Sequence, residues 1–406
     1  MRMPPGLPSR APDGSPLVVQ LKKSLYGLKQ AGRAWWLLLS SFLKEWGFVQ
    51  SAVDVCLYTY QSGSSILWLL VWVDDTIIVD NDVGLREKFV ADLGRRFPVE
   101  DKRDLTWILG VKITRDRKRR TLSMSQELYS NDLVTRHASL IDGLTKRFDS
   151  PCDASIELSP DQCPTHGSEE WQRMQSHHAD YMALVGAFLW LSNVTRPELS
   201  YISSQLCRFV SNPGQVHYSA ALRVLLYLKG STDRCLTYAP SASRPLRIFV
   251  DSNWGTKYSI SGACFELMGC NVHWFAKTQR SVSLSSTEAE WFAAMMSARE
   301  GLFFRDLLTE LSLPLLAPTI IRSDNKSVKD LSLDAVAFKK TKHILRAANF
   351  LRDLCDRLFF EIVWIPGSSN PADIFTKAHE LAPFRVYLAL LDRLDGIPAT
   401  HAMSKP

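Results

Sequence analysis

No apolar run in this 406-residue chain approaches membrane length: the stretch from Ile66 to Val73 stops after eight residues at Asp74, far short of the roughly 20 a bilayer helix needs. The start, MRMPPGLPSRAPDGSP, is proline-rich and has no apolar centre, so no secretory signal is read there. The eight cysteines include no CxxC pair and no zinc-finger spacing, which argues against structural zinc and for free thiols in a reduced intracellular setting. An excess of one charge is also lacking. The 48 basic and 42 acidic residues leave +6, compatible with a polyanionic partner but no demonstration of one. No internal repeat is visible. What is present is the composition of a folded protein, 46% hydrophobic and 22% charged, long enough for two or three domains.

Ile66 to Asp80 reads ILWLLVWVDDTIIVD, with Asp74 and Asp75 side by side inside a strand-like apolar context. Buried unpaired acids are costly, so the pair sits either on a β-hairpin tip, where Asp suits the turn, or in a metal site where cations offset the repulsion. Two basic clusters, RDRKRR at Arg115 to Arg120 and KKTKH at Lys339 to His343, could contact phosphates, but by themselves read first as a solvated turn or helix end.

Along the chain, Ala31 to Trp46 reads as a helix closed by Gly47, and QSGSS at Gln61 to Ser65 is the turn of a hairpin. A helix at Gly84 to Arg96, a strand at Trp107 to Thr114, a turn at RDRKRR and a strand at Thr121 to Ser125 follow. Asp149 to Ser168 reads as a loop, then helices at Ala179 to Asn193, Pro197 to Phe209 and Val216 to Lys229. PSASRP at Pro240 to Pro245 marks a boundary. Beyond it come strands at Leu246 to Asp251, Gly262 to Met268 and Asn271 to Ala276, a long helix at Ser286 to Leu311, and a strand at Thr319 to Ser323. Helices at Asn325 to Leu333 and Thr341 to Leu358, a strand at Phe360 to Ile365 and a helix from Pro371 complete a mixed α/β sheet with packed helices.

Four acids of this last segment fall at element boundaries: Asp251, Glu290, Asp324 and Asp373. Each has a plain local role: turn residues after strands for Asp251 and Asp324, a Thr287 to Glu290 capping box, and an acid at the helix start for Asp373. Their joint occurrence is what asks for more. VDSNWG, SLSSTEAEWFAA, RSDNKSV, KKTKHI and NPADIFTKA, in this order, resemble the ribonuclease H domain of Ty/copia-type retrotransposon Pol proteins. The resemblance implies that Asp251, Glu290, Asp324 and Asp373 hold two Mg²⁺ ions, with Mn²⁺ able to substitute, and cut the RNA strand of an RNA/DNA hybrid to leave 5′ phosphate and 3′ hydroxyl. It also implies that Lys340, Lys342 and His343 hold a phosphate. Asn253 stands where the family usually has an acid that is not a metal ligand. The IPGSSNP loop lacks the His that many cellular ribonucleases H use in product release, so slow turnover is expected.

Upstream, LKKSLYGLKQAGRAWW and LLVWVDDTIIV resemble the copia-type reverse transcriptase, the second falling on its YVDD motif. The resemblance implies that Asp74 and Asp75 serve a two-metal polymerase site on a hairpin, with Gly27 allowing close backbone approach and Lys29 and Arg33 near phosphates of an RNA template and DNA primer. TWILGVKI, YMALVGAFLWLSNVTRPELSYISSQL and AALRVLLYLKG resemble its thumb and connection. Trp72 replaces the usual Tyr and Gly32 a usual Pro. The family's first metal-binding Asp belongs to a motif upstream of the segment that MRMPPGL resembles, so primer extension is not expected of this chain alone. The expected architecture is mixed α/β (α+β). Residues 1–148 form a partial polymerase palm and thumb, 149–243 a linker and helical connection, 244–380 a ribonuclease H-like mixed sheet with helices, and 381–406 a tail. Other Pol or Gag products are possible partners and a membrane is not. A decayed or co-opted relic that binds nucleic acid without catalysis is the alternative.

Overall fold

The computed structural model describes residues 3–25, 27–240, 245–255, 258–333 and 345–392. They belong to two compact units, residues 1–103 with 310–312, and residues 104–309 with 313–406. Among the described residues no helix is long and apolar enough to cross a membrane.

In the first unit α1 (Ala31–Trp46) buries Leu39 and Leu43 and stops at Gly47, whose φ of 108° lets its N–H reach back to Leu43 O and Lys44 O. Only glycine takes that left-handed conformation without strain. Four antiparallel strands follow in sequence order, β1 (Val49–Gln50), β2 (Leu57–Ser62), β3 (Ser65–Trp72) and β4 (Asp75–Asp80). On β3 the alternation buries Leu67, Leu69 and Val71 and exposes Leu70 and Trp72, the period of a sheet covered on one face. That cover is α2 (Val83–Arg96), which Asp82 caps by accepting the Leu85 N–H and which supplies Phe89 and Leu93 to the core.

The second unit opens with an antiparallel sheet of β5 (Trp107–Ile108), β6 (Val111–Asp116), β7 (Thr121–Ser125) and β8 (Leu236–Tyr238). The RDRKRR run forms the β6–β7 hairpin turn, where Asp116 Oδ1 accepts the N–H groups of Lys118 and Arg119 at 2.9 Å each. Because β8 pairs with β7, residues on both sides of position 148 share this sheet. Between them lie α3 (Glu127–Arg136), α4 (Glu169–Val194), α5 (Ser200–Cys207) and α6 (Gln215–Lys229). The α4 helix starts earlier than the expected Ala179, since Ser168 accepts the Trp171 N–H at 3.1 Å and caps it there.

The remaining elements are β9 (Arg247–Asn253), β10 (Ile260–Leu267), β11 (Cys270–Thr278), α7 (Ser286–Glu310), β12 (Thr319–Ser323), α8 (Lys326–Leu333), α9 (Leu345–Asp356) and β13 (Phe360–Trp364). The sheet runs β11-β10-β9-β12-β13, antiparallel across the first three strands and parallel across the last three. This is the mixed sheet with packed helices expected for this segment. One face buries Ile248, Val250, Phe265 and Ile321 against Trp291 and Ala294 of α7 and Leu351 of α9. Gly301 lets α7 lie close: a Cβ there would stand 2.7 Å from Ile248 Cδ1. The other face buries Phe249, Cys264 and Trp274 with Ile202 and Leu206 of α5, and Trp274 Nε1 donates to Ser192 O at 2.6 Å.

The helix expected from Pro371 is a correction. Pro371–Phe375 is a single 3₁₀ turn, and the helix α10 begins only at Leu381 and ends at Leu391. Side chains end the turn: Asn370 Oδ1 accepts the Ala372 N–H, and Thr376 Oγ1 donates to Asp373 O at 3.0 Å, satisfying backbone groups that would otherwise propagate a helix.

Candidate active site

Parallel neighbours β9 and β12 end at the same edge of their sheet, so Asp251 near the end of β9 and Asp324 just after β12 face a common space. Asp251 is thus inside its strand, not the turn residue the sequence suggested. Glu290 comes from the start of α7. The capping box there is Ser285 with Glu288: Ser285 Oγ accepts the Glu288 N–H at 3.2 Å, and Glu288 Oε2 accepts the Leu284 N–H at 2.7 Å. Glu290 is therefore released from the capping role expected of it. Its Oε1 accepts the Ser252 N–H at 3.1 Å, next to Asp251.

Asp251, Glu290 and Asp324 each offer an oxygen within 4.8 Å of the other two. Asp251 is 4% and Glu290 6% exposed, and Glu290 Oε2 is buried with no hydrogen-bond partner. Burial, then the charge of Asp373, pushes Asp251 up to about 7, against the donated Thr376 hydroxyl and Lys377. Burial followed by Asp251 and Asp324 holds Glu290 well above the usual carboxylate range. Asp324 is also raised, chiefly by burial. Three crowded acids that resist ionisation, one with an orphan oxygen, form a donor set that a hard divalent cation would complete.

Asp373 lies in the adjoining 3₁₀ turn, 5% exposed, outside that trio. Lys377 Nζ is 2.5 Å from its Oδ1. Burial pulls the Lys377 ammonium down, but the hydrogen bond to Asp373 and the surrounding carboxylates more than offset this and leave it raised. Thr376 Oγ1 donates to Asp251 Oδ2 and so ties the turn to β9. Two residues outside the expected site set make this possible. A Cβ on Gly262, which pairs with Asp251, would stand 2.7 Å from Thr376 Cγ2 and 2.8 Å from Phe375 Cβ; a glycine inside a strand signals such close approach. Asn370, fully buried, donates to Val250 O at 2.8 Å while capping the turn. Gln279 was missed too: its amide donates to Ser261 Oγ at 2.9 Å and Ala289 O at 2.8 Å, joining β10 to α7 behind Glu290.

In the other unit Asp74 and Asp75 are exposed on the β3–β4 hairpin, whose ladder closes with Trp72 opposite Asp75. Val73 in that turn has φ 54°, strained for a β-branched residue. Trp35 of α1 donates its indole N–H to Val73 O at 2.5 Å. Among the described residues no group of three potential metal ligands includes Asp74 or Asp75. Gly27 has φ 88°; Lys29 and Arg33 are exposed beside it at the start of α1. Lys340, Lys342 and His343 lie outside the described residues.

The family model "Reverse transcriptase (RNA-dependent DNA polymerase)" matches residues 1–148. The chain is 32% identical over 366 residues to the retrovirus-related Pol polyprotein from transposon TNT 1-94 of Nicotiana tabacum, covering 89% of this chain and 27% of that protein. It is 32% identical over 381 residues to the corresponding protein from transposon RE2 of Arabidopsis thaliana, 93% of this chain and 25% of that one. The chain therefore spans about a quarter of the length of these relatives. Among solved structures, ribonuclease H1 from Halobacterium salinarum is similar over 33% of this chain and 95% of its own, at 13% identity and a TM-score of 0.24.

Proposed function

This chain belongs to the Pol polyproteins of Ty/copia-type retrotransposons, and from that premise we propose that its C-terminal half hydrolyses the RNA strand of RNA/DNA hybrids in a divalent-metal-dependent reaction. The observation that carries the proposal is the convergence of buried Asp251 and Glu290 with half-buried Asp324, the unpartnered Glu290 oxygen among them.

Two bound Mg²⁺ ions, with Mn²⁺ as substitute, would activate the attacking water and stabilise the departing 3′ oxygen. The protein's part is to hold the ligands. Asp251 and Asp324 project from rigid strand ends, Ser252 N–H orients Glu290, and Thr376 orients Asp251. Burial and crowding favour the protonated acids, so a bound cation would take the place of protons. The RNA strand leaves with 5′ phosphate and 3′ hydroxyl ends. The test is cleavage of a labelled hybrid by purified protein in Mg²⁺: activity lost on chelation and in Asp324→Asn supports the assignment, and activity that persists in Asp324→Asn overturns it.

The same reading gives residues 1–148 a polymerase-type role, with the strained, Trp35-anchored hairpin presenting Asp74 and Asp75 towards an RNA template and DNA primer. The pair has no third ligand grouped with it among the described residues. Primer extension by this polypeptide is therefore expected to be absent, and DNA synthesis that depends on Asp74 would refute that expectation.

A further inference from the structure

Asp373 stands apart from the converging trio, and one of the side chains around it, Tyr387, comes from a segment whose sequence reads as a tail. His379 Nε2 lies 3.4 Å from its Oδ2 and 3.0 Å from its backbone oxygen, and the Tyr387 hydroxyl hydrogen-bonds to its carboxylate. The His379 side chain is 8% exposed, and its ring packs on Tyr387 with centroids 4.8 Å apart. Tyr387 sits on α10, and α10 is pinned at several points. Phe384 and Leu391 enter the helical core, and the Phe384 ring meets Tyr227 of α6 edge-on at 6.3 Å. Arg385 pairs with Asp149 at 2.9 Å, and Arg234 pairs with Asp392 at 2.7 Å. Tyr387 on α10 is half-buried, and His379, just before that helix, has its side chain almost wholly covered; polar groups covered in this way cost free energy unless they are paired. Both are paired to the same acid.

We propose that His379 and Tyr387 are positioning residues that fix the Asp373 carboxylate for cation binding, with α10 transmitting the rigidity of the helical module to the nuclease site. The inference rests on the reading above, in which these acids bind divalent cations. Groups that hydrogen-bond a metal ligand from behind typically change metal affinity or activity by about 10–100-fold when removed. An acid whose orientation is already set loses less freedom when the cation arrives.

The test uses the full chain and three variants, Tyr387→Phe, His379→Ala and His379→Gln. Mn²⁺ affinity is measured by calorimetry, hybrid cleavage is resolved into kcat and KM, and melting is followed without metal. Tyr387→Phe and His379→Ala are expected to weaken Mn²⁺ binding about tenfold or more and to lower kcat at unchanged KM and unchanged melting temperature. His379→Gln, whose side-chain amide can donate to Asp373, is expected to recover most of the loss. Wild-type Mn²⁺ affinity in both Tyr387→Phe and His379→Ala, or a loss that follows melting temperature and is not recovered by Gln, overturns the proposal. Asp251→Asn tests the underlying reading separately: if the wild type binds no Mn²⁺, or Asp251→Asn binds it equally well, the cation assignment itself fails. If the wild type binds and Asp251→Asn does not, wild-type affinity in both Tyr387→Phe and His379→Ala sinks the positioning role alone.

Discussion

Replacing Asp251 by Asn should make the metal-free protein more stable while destroying its response to metal. Burial, then the charge of Asp373, opposes ionisation of the carboxyl and pushes it up to about 7, from the usual aspartate value of about 3.9. Between those values the folded chain holds a proton that the unfolded chain has released, so stability falls as pH rises through that window and levels off above about 7. At about 1.36 kcal/mol per unit, roughly three units make the cost at pH 8 about 4 kcal/mol. Asn carries no charge, and its carbonyl can still accept the Thr376 hydroxyl. Removing the charge should therefore raise the melting temperature at pH 8 by several degrees, the shift per kcal/mol being smaller in a large unit than in a small domain. At pH 4, where the folded carboxyl is already neutral, the gain should vanish. Adding Mg²⁺ should stabilise the wild type and leave Asp251→Asn unmoved. Calorimetric melting of both proteins at pH 4 and pH 8, with and without Mg²⁺, decides it. A variant less stable than wild type at pH 8 would refute the claim that uncompensated charge crowds this site.

Gly262→Val should push Phe375 and Thr376 off β10, costing about 1–3 kcal/mol of stability from overpacking and abolishing cleavage, checked by melting and hybrid assay together. Asn370→Ala leaves Val250 O and the Ala372 N–H without their partner and should cost about 1–3 kcal/mol, with weaker Mn²⁺ binding by calorimetry. Gln279→Ala should lower kcat through Glu290 while KM for hybrid stays constant, read from initial rates. Trp35→Phe removes the donor to Val73 O and should leave hybrid cleavage unchanged while increasing amide exchange at the β3–β4 turn.

The elements with strong local signatures were readable in the sequence. α1 ends at Gly47 as its composition requires, the QSGSS turn separates two strands, and the RDRKRR hairpin falls where its flanks place it. What escaped was decided by which of several possible side-chain bonds forms, some local and some remote in sequence. Ser168 starts α4 early by a side-chain cap within a stretch that otherwise reads as loop. Glu290 and Glu288 are equally plausible capping acids on paper, and only the fold assigns the cap to Glu288. The helix expected at Pro371 fails because Asn370 and Thr376 bond locally and to β9, contacts invisible to periodicity. Thr376 and Lys377 lay within the NPADIFTKA motif but drew no separate notice, since a hydroxyl and an ammonium gain meaning only beside the acids they touch. His379 and Tyr387 had no signal at all; their relation to Asp373 is created by the docking of α10.

The most direct test of the central claim is strand and end analysis of an RNA/DNA hybrid incubated with the purified chain in Mg²⁺, alongside duplex RNA and duplex DNA of the same sequence. The account predicts cuts in the RNA strand of the hybrid alone, with 5′ phosphate and 3′ hydroxyl ends. Binding of the hybrid without cleavage in either Mg²⁺ or Mn²⁺, or equal cutting of all three duplexes, would contradict it.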